Sequence, residues 1–249
     1  MKIIRFISND GISYGQLNKD NVQGIKDFSF SKDFNYSNKQ YSLNEIKILS
    51  PSLPKKVIGL AYNYKDLVGE KDSYDDPLVF MKSPNSIIGI NQSIKIPAQK
   101  KVWVEVELVI VVSNKIKDKK SSLSEKIFGF TIGNDVTVES KYNRDHHLAQ
   151  SKARDTFGPT GPYIDTEINT SKLNMTNKIN GQIFQKGNTE NRIFDDEKCL
   201  ELVESIMELD PGDLIFTGTP ANAENSVVKK GDICELSIEG LDSLHNDII

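Results

Sequence analysis

Glu105 and Glu107 stand two residues apart in the run 103–112, WVEVELVIVV. Side chains alternate along a strand, so both glutamates are expected on one face. Two carboxylates side by side repel. In a low-dielectric setting the repulsion ends when one takes a proton or when a cation fills the gap. A hard divalent ion accepts carboxylate oxygens and keeps positions open for water or substrate. Asp135, where the apolar run 127–133 ends abruptly in Asn-Asp, is the candidate third acid. The alternative is a half-exposed strand with both glutamates in solvent and Val104, Val106 and Leu108 facing the core. The following LVIVV is apolar on both faces, which argues for cover on both sides.

The elements that must position these residues read mostly as short strands, among them 56–61, 77–82, 104–112, 127–133, 178–187, 213–219 and 232–240. Asp10-Gly11 and Asn180-Gly181 are hairpin signals, because tight hairpin turns need positive φ. Helical spacing is confined to 121–126, 138–150 and 195–208, and the stretch 27–41 reads as loop. Residues 42–49 read as a short helix or a strand entry. The prolines of 51–54 mark a boundary, giving a small N-terminal β unit over 1–50 and a main domain over 51–249. Many strands with few helices argue against a doubly wound sheet. Neither GxGxxG nor a P-loop is present, so a nucleotide site has no support.

Bulk properties narrow the partners. The 249 residues carry 31 basic and 35 acidic groups, a net charge of −4. This balance offers nothing to nucleic acid or an anionic membrane. Cys199 and Cys234 form no CxxC pair and no disulfide framework, which suits a reducing compartment. The first ten residues lack the pattern of a signal peptide, and no apolar stretch approaches the ~20 residues of a membrane span. A cytoplasmic protein with no nucleic-acid or membrane partner is expected.

Seven stretches in order resemble the fumarylacetoacetate hydrolase family: KVIGLAYNYKDLVGE with PLVFMKSPNSIIG, then VEVELVIVV, FGFTIGNDVT, SKARDTFGPTGPYI, INGQIFQKGNT and LDPGDLIFTGTP. The resemblance runs over residues 55–249. It implies a mainly β fold with a mixed β-roll or β-sandwich core, a homodimer, and one divalent metal held by Glu105, Glu107 and Asp135. Mg²⁺ is expected, and Mn²⁺ or Ca²⁺ also accept such oxygen ligands. By position, Lys82 and Thr219 match substrate-binding residues and Lys152 matches the lysine of a KSFDTFGP-like motif. The implied substrate is a small 2-oxo acid or its enol, bound through carboxylate and ketone oxygens, with ammonium groups offsetting enolate charge.

The departures bear on the reaction. The family's NYxDHxxE reads NYKDLVGE here, so Leu67 stands at the histidine position while Glu70 is kept. General-base help of that kind is worth about 10²–10⁴ in rate. Glu139 stands where an arginine is usual, and Tyr142 replaces a glutamine at a substrate-facing position. TGTP is followed by ANAE rather than a glycine-containing loop. His146 and His147 are the substitutes to consider for the missing base; His245 lies far along the chain. With Glu70 and Lys152 as proton shuttles, isomerisation, tautomerisation or decarboxylation asks for less than C–C bond hydrolysis. The alternatives are a degenerate member that binds metal and keto acid without turnover, and a purely structural cation.

Overall fold

The computed structural model describes residues 1–69, 75–140 and 145–249. Glu70 and Tyr142 therefore lie outside the described residues. Strands dominate, in one large sheet and two small ones, with few helices. The mainly β expectation holds.

The large sheet runs from Asn35–Ser42 through Asn21–Lys26, Gly11–Asn18, Lys2–Ser8, Gly158–Asp165, Ile127–Asn134, Val106–Val112, Leu214–Phe216 and Val57–Ala61 to Leu78–Lys82. Along this path neighbours are antiparallel, except that Leu214–Phe216 lies parallel to Val57–Ala61. A four-stranded sheet of Asn174–Ile179, Gln182–Asn188, Ile233–Ile238 and Leu244–Asp247 packs beneath it. A third, small sheet sets Val102–Trp103 between Thr137–Val138 and Val227–Val228.

Val106–Val112 is buried at every position. Val106 and Leu108 pack with Met175, Leu236 and Ile238 of the four-stranded sheet. Ile110 and Val112, further along the same face, pack with Cys199, Leu200 and Val203 of the helix Asp196–Ile206. Val109 and Val111 point the other way, into a cluster with Phe128 and Phe216. Cover on both sides is the reason the run carries no alternation after Glu107.

The hairpin signals form as read: Ser8 pairs with Gly11, and Ile179 with Gln182. Asn180 and Gly181 both take positive φ, 51° and 81°. The helix Asp196–Ile206 starts at Asp195, whose side chain accepts from the Lys198 N–H, satisfying a donor the first turn leaves open. The signal at 121–126 yields only a 3₁₀ turn, Ser124–Lys126. Within 138–150 the described helix begins at Ala149 and ends at Lys152.

The segment 27–41 departs from the loop expectation, since Asn35–Ser42 is a strand paired with Asn21–Lys26. It is an edge strand with no buried position, so no apolar face betrays it. The phenylalanines before it are structural. Phe28 stacks on Tyr14 at 3.9 Å between centroids and meets Phe128 edge-on at 5.7 Å. Strand Lys2–Ser8 pairs directly with Gly158–Asp165, so the N-terminal strands extend the large sheet. Among the described residues no helix is long and apolar enough to cross a membrane.

Candidate metal centre

Glu107 lies in the strand Val106–Val112, opposite Gly133. Glu105 sits one residue before that strand, in the link from Val102–Trp103. Its backbone is pinned: its N–H donates to Asn134 Oδ1 (3.2 Å), and its C=O accepts from the Asp135 N–H (3.0 Å). Asp135 is the first residue past Ile127–Asn134. The three carboxylates thus come from adjoining strand ends, and one oxygen of each lies within 4.8 Å of the others. All three residues are buried.

Two lysines answer this charge. Lys82 Nζ donates to Asp135 Oδ1 at 2.5 Å and to the Lys152 C=O at 2.8 Å. Lys152 Nζ reaches Asp135 Oδ2 at 2.5 Å and Glu105 Oε1 at 3.1 Å, with the Phe80 ring 5.3 Å away. Glu105 Oε1 also accepts from Trp103 Nε1 and Thr137 Oγ1, both at 2.7 Å. Glu107 Oε2 accepts from the Gly218 N–H at 2.8 Å. Gly218 has φ +95°, and a Cβ there would crowd Leu60 O at 3.0 Å and Asn63 Cβ at 3.1 Å. Glycine is what lets this N–H face the carboxylate.

Burial, then Asp135 and Glu105, push the Glu107 carboxyl well above its ordinary value. Burial alone would also raise Asp135, but the ammonium groups of Lys152 and Lys82 outweigh it and hold it low. Burial lowers Lys82. Burial works against the Lys152 ammonium too, yet Asp135 and Glu105 overcome it and hold it above its ordinary range. The donor set is hard oxygen, and among the described residues Glu107 is the one of the three carboxylates without an ammonium partner. A divalent cation fits this set, since it would offset the burial and the repulsion that raise the Glu107 carboxyl.

The carboxylates open into a cavity of about 370 Å³. Lys152, Thr137 and Thr219 share its charged end, and Leu67 lines it from the short helix Lys65–Val68. Lys82 is fully buried behind Asp135 and is not among the lining residues. Thr219 is fixed by its hydroxyl, which donates to the Val106 C=O (3.0 Å) and accepts from Gln185 Nε2 (2.9 Å). His146 and His147 are exposed and line a separate groove beside Met81 and Lys82.

Sequence reading missed several supporting residues. Gln185 is a buried polar side chain in a strand; its Oε1 accepts from the Val106 N–H and its Nε2 donates to the Pro220 C=O at 2.7 Å. Asn63 ties the root of the Leu67 helix to two other segments. Its Nδ2 donates to the Thr217 C=O (2.8 Å), and its Oδ1 accepts from the Phe194 N–H (2.7 Å). Trp103, two residues before Glu105, carried a usable signal, because alternation puts it on the same face.

This fold and this cluster of acids place the chain in a family. Residues 56–249 match the family model Fumarylacetoacetate (FAA) hydrolase C-terminal, and the chain belongs to the fumarylacetoacetate hydrolase family. Residues 1–51 match a second model, Rv2993c-like, N-terminal. The chain is 32% identical over 263 residues to Protein Rv2993c of Mycobacterium tuberculosis, covering 100% of this chain and 98% of that one. A solved structure of 5-carboxymethyl-2-hydroxymuconate delta-isomerase from Mycobacterium smegmatis superposes with a TM-score of 0.91 at 30% identity, covering 100% of this chain and 99% of the other. The mitochondrial oxaloacetate tautomerase Fahd2a of Rattus norvegicus is 31% identical over 220 residues, covering 83% of this chain and 70% of that one. Its relatives thus include proteins named as an isomerase and a tautomerase.

Proposed function

We propose that the protein is a divalent-metal-dependent enzyme that relocates a proton on a small 2-oxo acid or its enol, by isomerisation or tautomerisation. The observation that carries this reading is the buried cluster of Glu105, Glu107 and Asp135 beside two ammonium groups, at the end of a cavity bordered by Leu67. Glu105, Glu107 and Asp135 hold the cation, preferentially Mg²⁺. When bound, it polarises the 2-oxo group and acts as the electron sink. Lys82 positions Asp135 from behind. Lys152 Nζ, held between Asp135 and Glu105, stabilises negative charge on the enol oxygen and shares the proton-shuttle role with Glu70. Thr219 and Tyr142 contact the substrate. Leu67 offers no proton acceptor and does not help activate water, which sets proton relocation ahead of hydrolysis. The relatives named as an isomerase and a tautomerase support the same choice.

The test is an ultraviolet assay of the enol band on a panel of 2-oxo acids, with Mg²⁺ and with chelator. Metal-dependent change that vanishes in Glu107→Ala is expected, with the isomer rather than cleaved fragments as product. Absence of turnover across the panel, with a 2-oxo acid still bound in the presence of metal, would favour the binder without turnover.

A further inference from the structure

The cavity lining is mostly apolar, and that lining speaks to the substrate's tail. Besides the acids, its wall carries Leu60, Leu67, Phe80, Trp103, Val138 and Leu148, with Trp103 and Phe80 set against Glu105 and Lys152. Among the described residues, no Lys, Arg or His other than Lys152 lines the cavity, and Lys152 sits with the head-group acids, paired with Asp135 and Glu105. Among the described residues the one further charge on the wall is negative. Glu224 lines the cavity from the 3₁₀ turn Ala223–Asn225; it is exposed and has no ion-pair partner among the described residues. That turn abuts the Leu67 helix, since the Ala221 N–H points to Asp66 Oδ2 at 3.4 Å. Glu139, at the position where an arginine is usual, turns away and accepts from the Lys101 N–H at 3.0 Å.

We infer that this site selects 2-oxo acids whose far end is uncharged and apolar, and that Glu224 rejects a second carboxylate; the inference rests on the head-group reading proposed above. An apolar wall gains by covering methylene groups. It cannot repay the desolvation of a second carboxylate, which needs a hydrogen-bonded cation. An unpaired Glu224 adds repulsion that acts directly on such a group. Selection therefore comes from an unfavourable contact as well as a favourable one.

The test uses two acids of equal chain length, 2-oxohexanoate and 2-oxoadipate, titrated calorimetrically into the full chain with saturating Mg²⁺. The methyl-ended acid is expected to bind tighter by about tenfold or more. Glu224→Gln narrows the ratio and Glu224→Lys inverts it. The exposed position makes both variants safe for folding, and circular dichroism checks this. Tighter binding of 2-oxoadipate by the native chain overturns the inference and leaves the head-group reading standing. So does a ratio unmoved in Glu224→Lys. A preference for 2-oxoadipate that disappears in Lys141→Ala or Arg144→Ala names the cation responsible and also overturns it. Binding of neither acid, with Mg²⁺ still bound, sinks both readings.

Discussion

Two buried clusters in this molecule are made of the same parts, Asp and Lys, and they do opposite things. Asp213 is fully buried just before Leu214–Phe216. Its Oδ1 accepts from the Lys55 and Lys56 N–H groups at 3.0 and 2.8 Å, and its Oδ2 accepts from the Asp210 N–H at 2.8 Å and, at a longer 3.4 Å, from Lys56 Nζ. Backbone donors meet both oxygens, and the carboxylate staples the starts of two parallel strands. Asp135 is equally buried but held by the side-chain ammonium groups of Lys82 and Lys152, with Glu107 left to repel it. A carboxylate saturated by fixed amides has no capacity left for a ligand. Carboxylates crowded together and answered by long side chains can exchange partners when a cation enters.

The sharpest way to break this comparison is to disarm each cluster in turn. Asp135→Asn or Glu107→Ala is expected to cost about 10³-fold or more in turnover, with loss of Mg²⁺ binding by calorimetry and an unchanged far-ultraviolet spectrum. Asp213→Ala should instead leave Mg²⁺ affinity intact and lower stability by about 3 kcal/mol in denaturant titration, because buried N–H groups lose their acceptor. A variant of Asp213 that lost metal while staying fully stable would sink the distinction.

A smaller effect is read in pH. The Glu107 carboxyl is raised in the folded chain, so it binds a proton there that the unfolded chain releases earlier. Its contribution is present at acid pH and lost as pH rises through the folded value. Asp135 is lowered, so its contribution is lost only as pH falls below the ordinary carboxylate range. In chelator, the melting temperature should therefore decline as pH rises above the ordinary carboxylate range. Glu107→Gln should flatten that decline, and Mg²⁺ should remove it. The smallest effect belongs to the rim of the stapling cluster. Lys117, 63% exposed in its side chain, pairs with Asp210 at 3.0 Å. Lys117→Ala should shift stability by no more than about 0.5 kcal/mol.

The central strand was legible because burial on both faces writes itself as LVIVV, and the acids stood out against it. Asn180-Gly181 was legible because few residue types tolerate its turn. Asn35–Ser42 was not, since an edge strand with no buried position leaves only polar residues to read. Glu105 was placed on the strand by alternation, yet it sits before it, held by Asn134 and Asp135 through backbone pairing that spacing alone does not encode. Gln185 and Gly218 act through partners 79 and 111 residues away, distances at which a single sequence carries no pairing information.

The parallel pairing of Leu214–Phe216 with Val57–Ala61 has a kinetic consequence. The late strand lies between Val106–Val112 and Val57–Ala61, so during synthesis the two early strands wait with a gap between them. Contacts of such sequence separation form slowly. Gly218, which completes the hydrogen bonding of Glu107, arrives just behind the same strand. On the proposed metal reading, cation affinity is therefore expected only after the gap is filled. Mg²⁺ should leave the refolding rate nearly unchanged and slow unfolding, acting as a latch on the finished chain rather than a template for the growing one.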